Sequence, residues 1–119
     1  MVNAVHALMY TKDAEKLRAF FRDVLGLKSV DAGRGWLIFG LPPAEIAAHP
    51  AEDDSDHGRC ELYLMCDDIQ KTVAELKAKG VATTKPVSDQ GWGMVTAIKL
   101  PDGNEMGLYQ PRHPVAAGM

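Results

Sequence analysis

The strongest constraint on this chain is that it carries one structural phrase twice. "VHALMYTKDAEKLRAFFRDVLGL" and "CELYLMCDDIQKTVAELKAKGV" each begin as an alternating strand, reach an aspartate, continue as a helix and stop at a glycine. With the two aligned, His6 falls on Glu61, Asp13 on Asp68, Lys16 on Lys71 and Phe21 on Leu76, and Gly26 meets Gly80 after one residue of slack. In the first copy Ala14, Leu17, Phe20, Phe21, Val24 and Leu25 recur at three- and four-residue steps, the spacing of one broad apolar helix face. Ile69, Val73 and Leu76 form the thinner equivalent in the second. Asp13 and Asp68 are helix caps, because a short carboxylate accepts from the first free amides. Gly26 and Gly80 suit the left-handed residue that ends a helix.

Three strand-like stretches follow each helix. They are "LKSVDAG", "GWLIFGL" and "AEIAAH" in the first half, and "TTKPVS", "MVTAIKL" and "EMGLYQ" in the second, with the Asp102-Gly103 step reading as a hairpin turn. The pattern predicts an α+β fold of two tandem βαβββ modules, 3–50 and 60–111, within a single domain over 1–113. A chain of 119 residues is long enough for one core of this kind. "PAEDDSDHG" (50–58) is expected to be a solvated connection. As a calcium loop it would place Ser55 and His57 where carboxylates are needed. Residues 114–119 are expected to be a flexible tail.

The net charge of −3 comes from scattered residues and suggests no nucleic-acid partner. No stretch approaches the ~20 apolar residues that span a bilayer. The first ten residues lack the pattern of a signal peptide. Cys60 and Cys66 lie on or beside one strand and are read as reduced thiols, so a cytoplasmic location is expected.

"ELYLMCDDI" (61–69) poses the functional question. Glu61, Tyr63 and Met65 share one face of a strand whose other face, Leu62, Leu64 and Cys66, is apolar. A carboxylate on an inward face needs a partner or a task, since burying it alone costs several kcal/mol. His6, Tyr63, Tyr109 and Trp36 alternate onto the corresponding face, and Trp92 lies in the glycine-flanked "DQGWGM". Aromatic walls with a few polar tips are typical of small-molecule sites, although such rings also serve as packing between modules or subunits. His6 can equally be a strand histidine satisfied by a nearby backbone group. Glu45 and Glu105 begin their strands beside turns and are expected at exposed strand ends.

Taken in order, His6 at the head of the first strand, "FFRDVLGL", "CDDI", "GWG" and "PDGNEMGLYQ" resemble the vicinal oxygen chelate superfamily. This group includes glyoxalase I, extradiol dioxygenases, methylmalonyl-CoA epimerase and bleomycin-resistance proteins. The resemblance implies a cupped mixed sheet with helices outside, and often a homodimer. It also implies a divalent metal held by residues of the first and fourth strands of each module. The first-strand positions are His6 and Glu61, while the fourth-strand positions fall on Ala47 and Gly107, which cannot bind metal. Equivalent strands face each other in this family, which makes His6 the expected partner of Glu61 and the two a possible catalytic acid/base pair. Two readings stay open. One is a small-molecule-binding protein without a cofactor, its cup lined by Trp36, Tyr63, Trp92 and Tyr109 and enlarged at Ala47 and Gly107. The other is a lyase, isomerase or dioxygenase with one divalent metal (Ni, Zn, Mn or Fe) relocated onto His6, His49 and Glu61.

Overall fold

The structure is a computed structural model describing residues 1–24, 26–99 and 105–119. Among these it has eight strands and two α-helices, in the order strand–helix–strand–strand–strand repeated once. The chain divides into two compact units. The amino-terminal unit comprises Val5–Leu62 with Pro114–Met119, and the carboxy-terminal unit comprises Met1–Ala4 with Tyr63–His113.

In the amino-terminal unit, β1 (Val2–Thr11) runs parallel to β4 (Ala44–Pro50), β4 is antiparallel to β3 (Leu37–Leu41), and β3 to β2 (Ser29–Asp31). Helix α1 (Ala14–Ala19) starts where Asp13 accepts the Lys16 amide at 3.0 Å, and continues as a π-helical turn over Phe20–Val24. Ala14, Leu17 and Phe21 from this segment cover Phe39, Ile46 and Ala48, with the Phe21 and Phe39 rings edge to face at 5.3 Å. Burying Phe39 completely contributes about 2 kcal/mol. Because Ile46 and Ala48 face the helix, alternation sends Glu45, Ala47 and His49 to the opposite face. The parallel register sets His6 beside Glu45, Leu8 beside Ala47 and Tyr10 beside His49.

The carboxy-terminal unit repeats the pairing scheme. Strand β5 (Cys60–Cys66) is parallel to β8 (Glu105–Pro111), β8 is antiparallel to β7 (Gly93–Lys99), and β7 to β6 (Ser88–Asp89). Asp68 caps α2 (Ile69–Ala78) by accepting from the Lys71 amide, and Gly80 leaves it with φ of 84°. Ile69, Val73 and Leu76 of α2 pack on Cys66, Ile98 and Leu108. The opposite face of this sheet gathers Met65, Val95 and Tyr109 with Ala4 and Tyr63.

Three local expectations change. The strand expected over 83–88 is reduced to a single bridge from Thr83 to Ile98, followed by the two-residue β6. Pro86 has no amide to donate, so a continuous ladder cannot pass through it. Glu45, expected at an exposed strand end, is completely buried, whereas Glu105 is exposed. Residues 114–119 lie along β3 and β4, with Ala116 completely buried against Ile38 and Ala47. The Asp102-Gly103 turn falls outside the described residues. No helix among the described residues is long and apolar enough to cross a membrane.

Candidate functional site

The register of β1 and β4 creates the most unusual polar feature of the amino-terminal unit. His6 is 6% exposed and hydrogen-bonds through Nδ1 to Oε1 of Glu45, which has no exposed surface. The other carboxylate oxygen, Oε2, accepts from the amides of Ala116 at 2.8 Å and Ala117 at 3.3 Å. Carboxylates buried this deeply are tolerated when donors surround them, and here imidazole and amide donors divide the two oxygens. An imidazole sharing a hydrogen bond with a carboxylate can pass a proton to or from a third group. The two side chains also supply an imidazole nitrogen and a carboxylate oxygen, donor types that divalent transition metals accept.

Glu61 is held differently. Tyr10 donates its hydroxyl to Glu61 Oε1, and Arg59 approaches the same oxygen at 3.2 Å while its guanidinium sits 4.0 Å over the Tyr10 ring. The acidic connection sets this up locally, since backbone hydrogen bonds from Tyr10 N–H to Arg59 and from Gly58 N–H to Tyr10 zip it onto β1. Burial and the Glu61 carboxylate push the Tyr10 phenol up to about 12 from 10.0, with Arg59 opposing. A phenol whose folded value is raised contributes stability that is complete below pH 10 and is lost as pH climbs toward 12. An alkaline denaturation series is therefore expected to lose stability in that window, and Tyr10→Phe to remove this component.

His49 adjoins this network through its ring. Its ring lies 4.5 Å from Tyr10 and 5.2 Å from Trp36, whose own face carries the Arg18 guanidinium at 4.8 Å. His49 Nδ1 must donate to the Pro50 carbonyl at 2.7 Å, because a carbonyl can only accept. The three residues of the relocated metal set thus have different partners: His6 bonds Glu45, His49 bonds a backbone carbonyl, and Glu61 bonds Tyr10 and Arg59.

The remaining aromatic candidates meet in the carboxy-terminal unit. Tyr63, Trp92 and Tyr109 form a mutual edge-to-face triangle with centroids 5.2–6.0 Å apart, and the Tyr109 hydroxyl is 3.0 Å from His113 Nε2. Tyr109 is completely buried, whereas Trp92 is 43% exposed. Gly107 does not enlarge a cavity as expected, because the Tyr63 ring lies where its side chain would stand. Ala47 does not either, being packed without exposure against Ala116. Gly107→Ala would drive a Cβ into the Tyr63 ring and is expected to cost about 1–3 kcal/mol, read as a fall in thermal midpoint.

Glu45 is the residue that sequence reasoning missed. The available signal was its alternation with His49: residues 45, 47 and 49 occupy one face, so placing His49 with His6 also placed Glu45 there.

Comparison with known proteins agrees with this architecture. A family model described as Glyoxalase/Bleomycin resistance protein/Dioxygenase superfamily matches residues 3–108. Methylmalonyl-CoA epimerase from Mycobacterium tuberculosis is 18% identical with a TM-score of 0.66, covering 92% of this chain and 89% of that one. A variant of Streptomyces coelicolor methylmalonyl-CoA epimerase in complex with 2-nitronate-propionyl-CoA is 15% identical with a TM-score of 0.64, covering 94% and 99%. A Legionella pneumophila structure described as NAD-dependent benzaldehyde dehydrogenase is 16% identical with a TM-score of 0.61, covering 91% and 99%. Identities this low establish the shared fold alone. No curated protein matches the chain.

Proposed function

Because the chain belongs to the Glyoxalase/Bleomycin resistance protein/Dioxygenase superfamily, we propose that it binds a small carbonyl compound and moves a proton on the carbon beside that carbonyl, with His6 and Glu45 as the acid/base pair. The observation that carries this reading is the buried Glu45 carboxylate, bonded to an imidazole on one oxygen and to two amides on the other. Carbon acids are deprotonated best where the base is held in place and shielded from water. Several structural neighbours are methylmalonyl-CoA epimerases, and inverting a centre next to a carbonyl requires removal and return of one proton. Glu45 would take the proton from carbon, and His6 would keep the carboxylate oriented and return or relay the proton. Trp36, in the same unit, would supply apolar surface to the rest of the ligand.

The family resemblance also implies a divalent metal. His6 and Glu45 would contribute its imidazole and carboxylate donors, and the ion would polarise the substrate carbonyl as a Lewis acid.

Capture without turnover is the second reading, and Gly107 favours it. With the Tyr63 ring over that glycine, a fourth-strand position has become part of an aromatic wall that also includes Trp92 and Tyr109. Exchange in D2O separates the two. Loss of the α-proton of methylmalonyl-CoA and related thioesters, hemithioacetals and 2-keto acids would be followed by NMR. Protein-dependent washout that disappears in Glu45→Gln supports proton transfer. Binding without washout supports capture, and neither binding nor washout across the panel sinks both.

A further inference from the structure

Residues 114–119 make contacts that the strand pattern does not call for. Ala116 is completely buried, in one cluster with Ile38 and Ala47 and beside Leu8, Val30 and Trp36. Its amide and that of Ala117 both point at Glu45 Oε2. The segment turns immediately afterwards, with the Met119 amide bonding the Ala116 carbonyl at 3.1 Å and Gly118 at φ of 91°. Val115 and Met119 remain 45% and 43% exposed, so the segment is anchored chiefly through Ala116.

Gly40 on β3 is shaped to receive it. A Cβ at Gly40 would lie 2.5 Å from the Ala116 carbonyl oxygen, too close to be accommodated without a shift, and in tight contact with Met119 Cβ at 3.0 Å. Unlike the turn glycines, Gly40 does not have a positive φ, so close approach of the segment is its evident structural requirement.

We propose that residues 114–119 form a strap that occupies Glu45 and must lift before a ligand can reach this carboxylate. Two amide donors on one oxygen hold the strap with hydrogen bonds to a charged acceptor, stronger than neutral ones but few enough to break. Among the described residues 114–119, Ala116 is the buried apolar anchor, and so small a side chain leaves the closed state only modestly favoured. A ligand that replaces the strap takes the place of two amide donors, and a hydroxyl or amide N–H of its own would restore a hydrogen bond to Oε2. The strap therefore favours ligands that carry such a donor where they meet Oε2.

The inference rests on Glu45 being the working carboxylate, and its test reads access instead of activity. The probe is a water-soluble carbodiimide with glycine ethyl ester, with each labelled carboxyl located by peptide mass spectrometry. Exposed Glu105 serves as internal reference. In the full chain Glu45 is expected to label slowly. In Gly40→Ala, and separately in a chain ending at His113, its labelling should rise about tenfold or more relative to Glu105. Hydrogen exchange at the Ala116 and Ala117 amides should be slow in the full chain and fast in Gly40→Ala. Circular dichroism and thermal midpoints establish that each variant is folded. Equal Glu45 labelling in the full chain and in either folded variant overturns the strap, as does unprotected exchange at both amides in the full chain. Gated labelling in a protein that never washes out an α-proton would retain the strap and sink the proposed chemistry.

Discussion

Glu45→Gln is expected to slow α-proton washout by about 10²- to 10⁴-fold, the range over which a positioned general base contributes. Glutamine keeps the size and one carbonyl oxygen but cannot take a proton. It also meets donors on both sides. The His6 imidazole faces one oxygen of Glu45 and the Ala116 and Ala117 amides face the other, so the amide nitrogen of glutamine must confront either those amides or a His6 ring that gives up its Nδ1 proton to accept. That mismatch is expected to cost about 1–3 kcal/mol, measured by urea denaturation. Washout at the parent rate in a folded Glu45→Gln protein would remove Glu45 as the base. A rate loss much larger than the fraction unfolded separates chemistry from stability.

His6→Ala is expected to produce the largest change in stability, about 3–5 kcal/mol, because it deletes one hydrogen-bond partner of a completely buried carboxylate. In a domain whose total stability is about 5–15 kcal/mol, this approaches the unfolding threshold at room temperature. The second substitution provides the control. In His6→Ala combined with Glu45→Gln the charge has gone, so the double variant should be less destabilised than the sum of the singles by at least about 1 kcal/mol. Additive effects would mean that the pair contributes by packing and not by mutual electrostatics. The measurement is a double-mutant cycle by chemical denaturation, with circular dichroism confirming that each variant starts folded.

Much of the scaffold could be read from local sequence, because the devices that build it are local. Asp13 and Asp68 cap their helices from within the same turn. Gly26 and Gly80 take positive φ because no side chain hinders them there. Strict alternation placed Tyr63 with Met65 and Leu64 with Cys66 on opposite faces of β5, as the two carboxy-terminal clusters have them. The same alternation grouped Tyr63 with Tyr109, whose rings meet at 5.7 Å.

The site was less readable because its contacts span long stretches of chain. Glu45 looked exposed beside the Pro42-Pro43 turn. It is buried because a parallel partner 39 residues earlier and a segment 71 residues later both converge on it. Likewise, Gly107 read as an absent ligand, and only the β5–β8 register revealed the Tyr63 ring above it. The connection over 50–58 read as solvated, and the place of neighbouring Arg59 over Tyr10 depends on how that connection closes onto β1.

The sequence by itself determined the order of elements, their caps and the faces of their strands, since these follow from spacing and from interactions within a few residues. Tertiary structure decided which carboxylate is buried, which imidazole meets it and which amides cover it. Those outcomes depend on strand register and on the closure of distant segments, and a shift of one residue in register would have turned Glu45 to the other face.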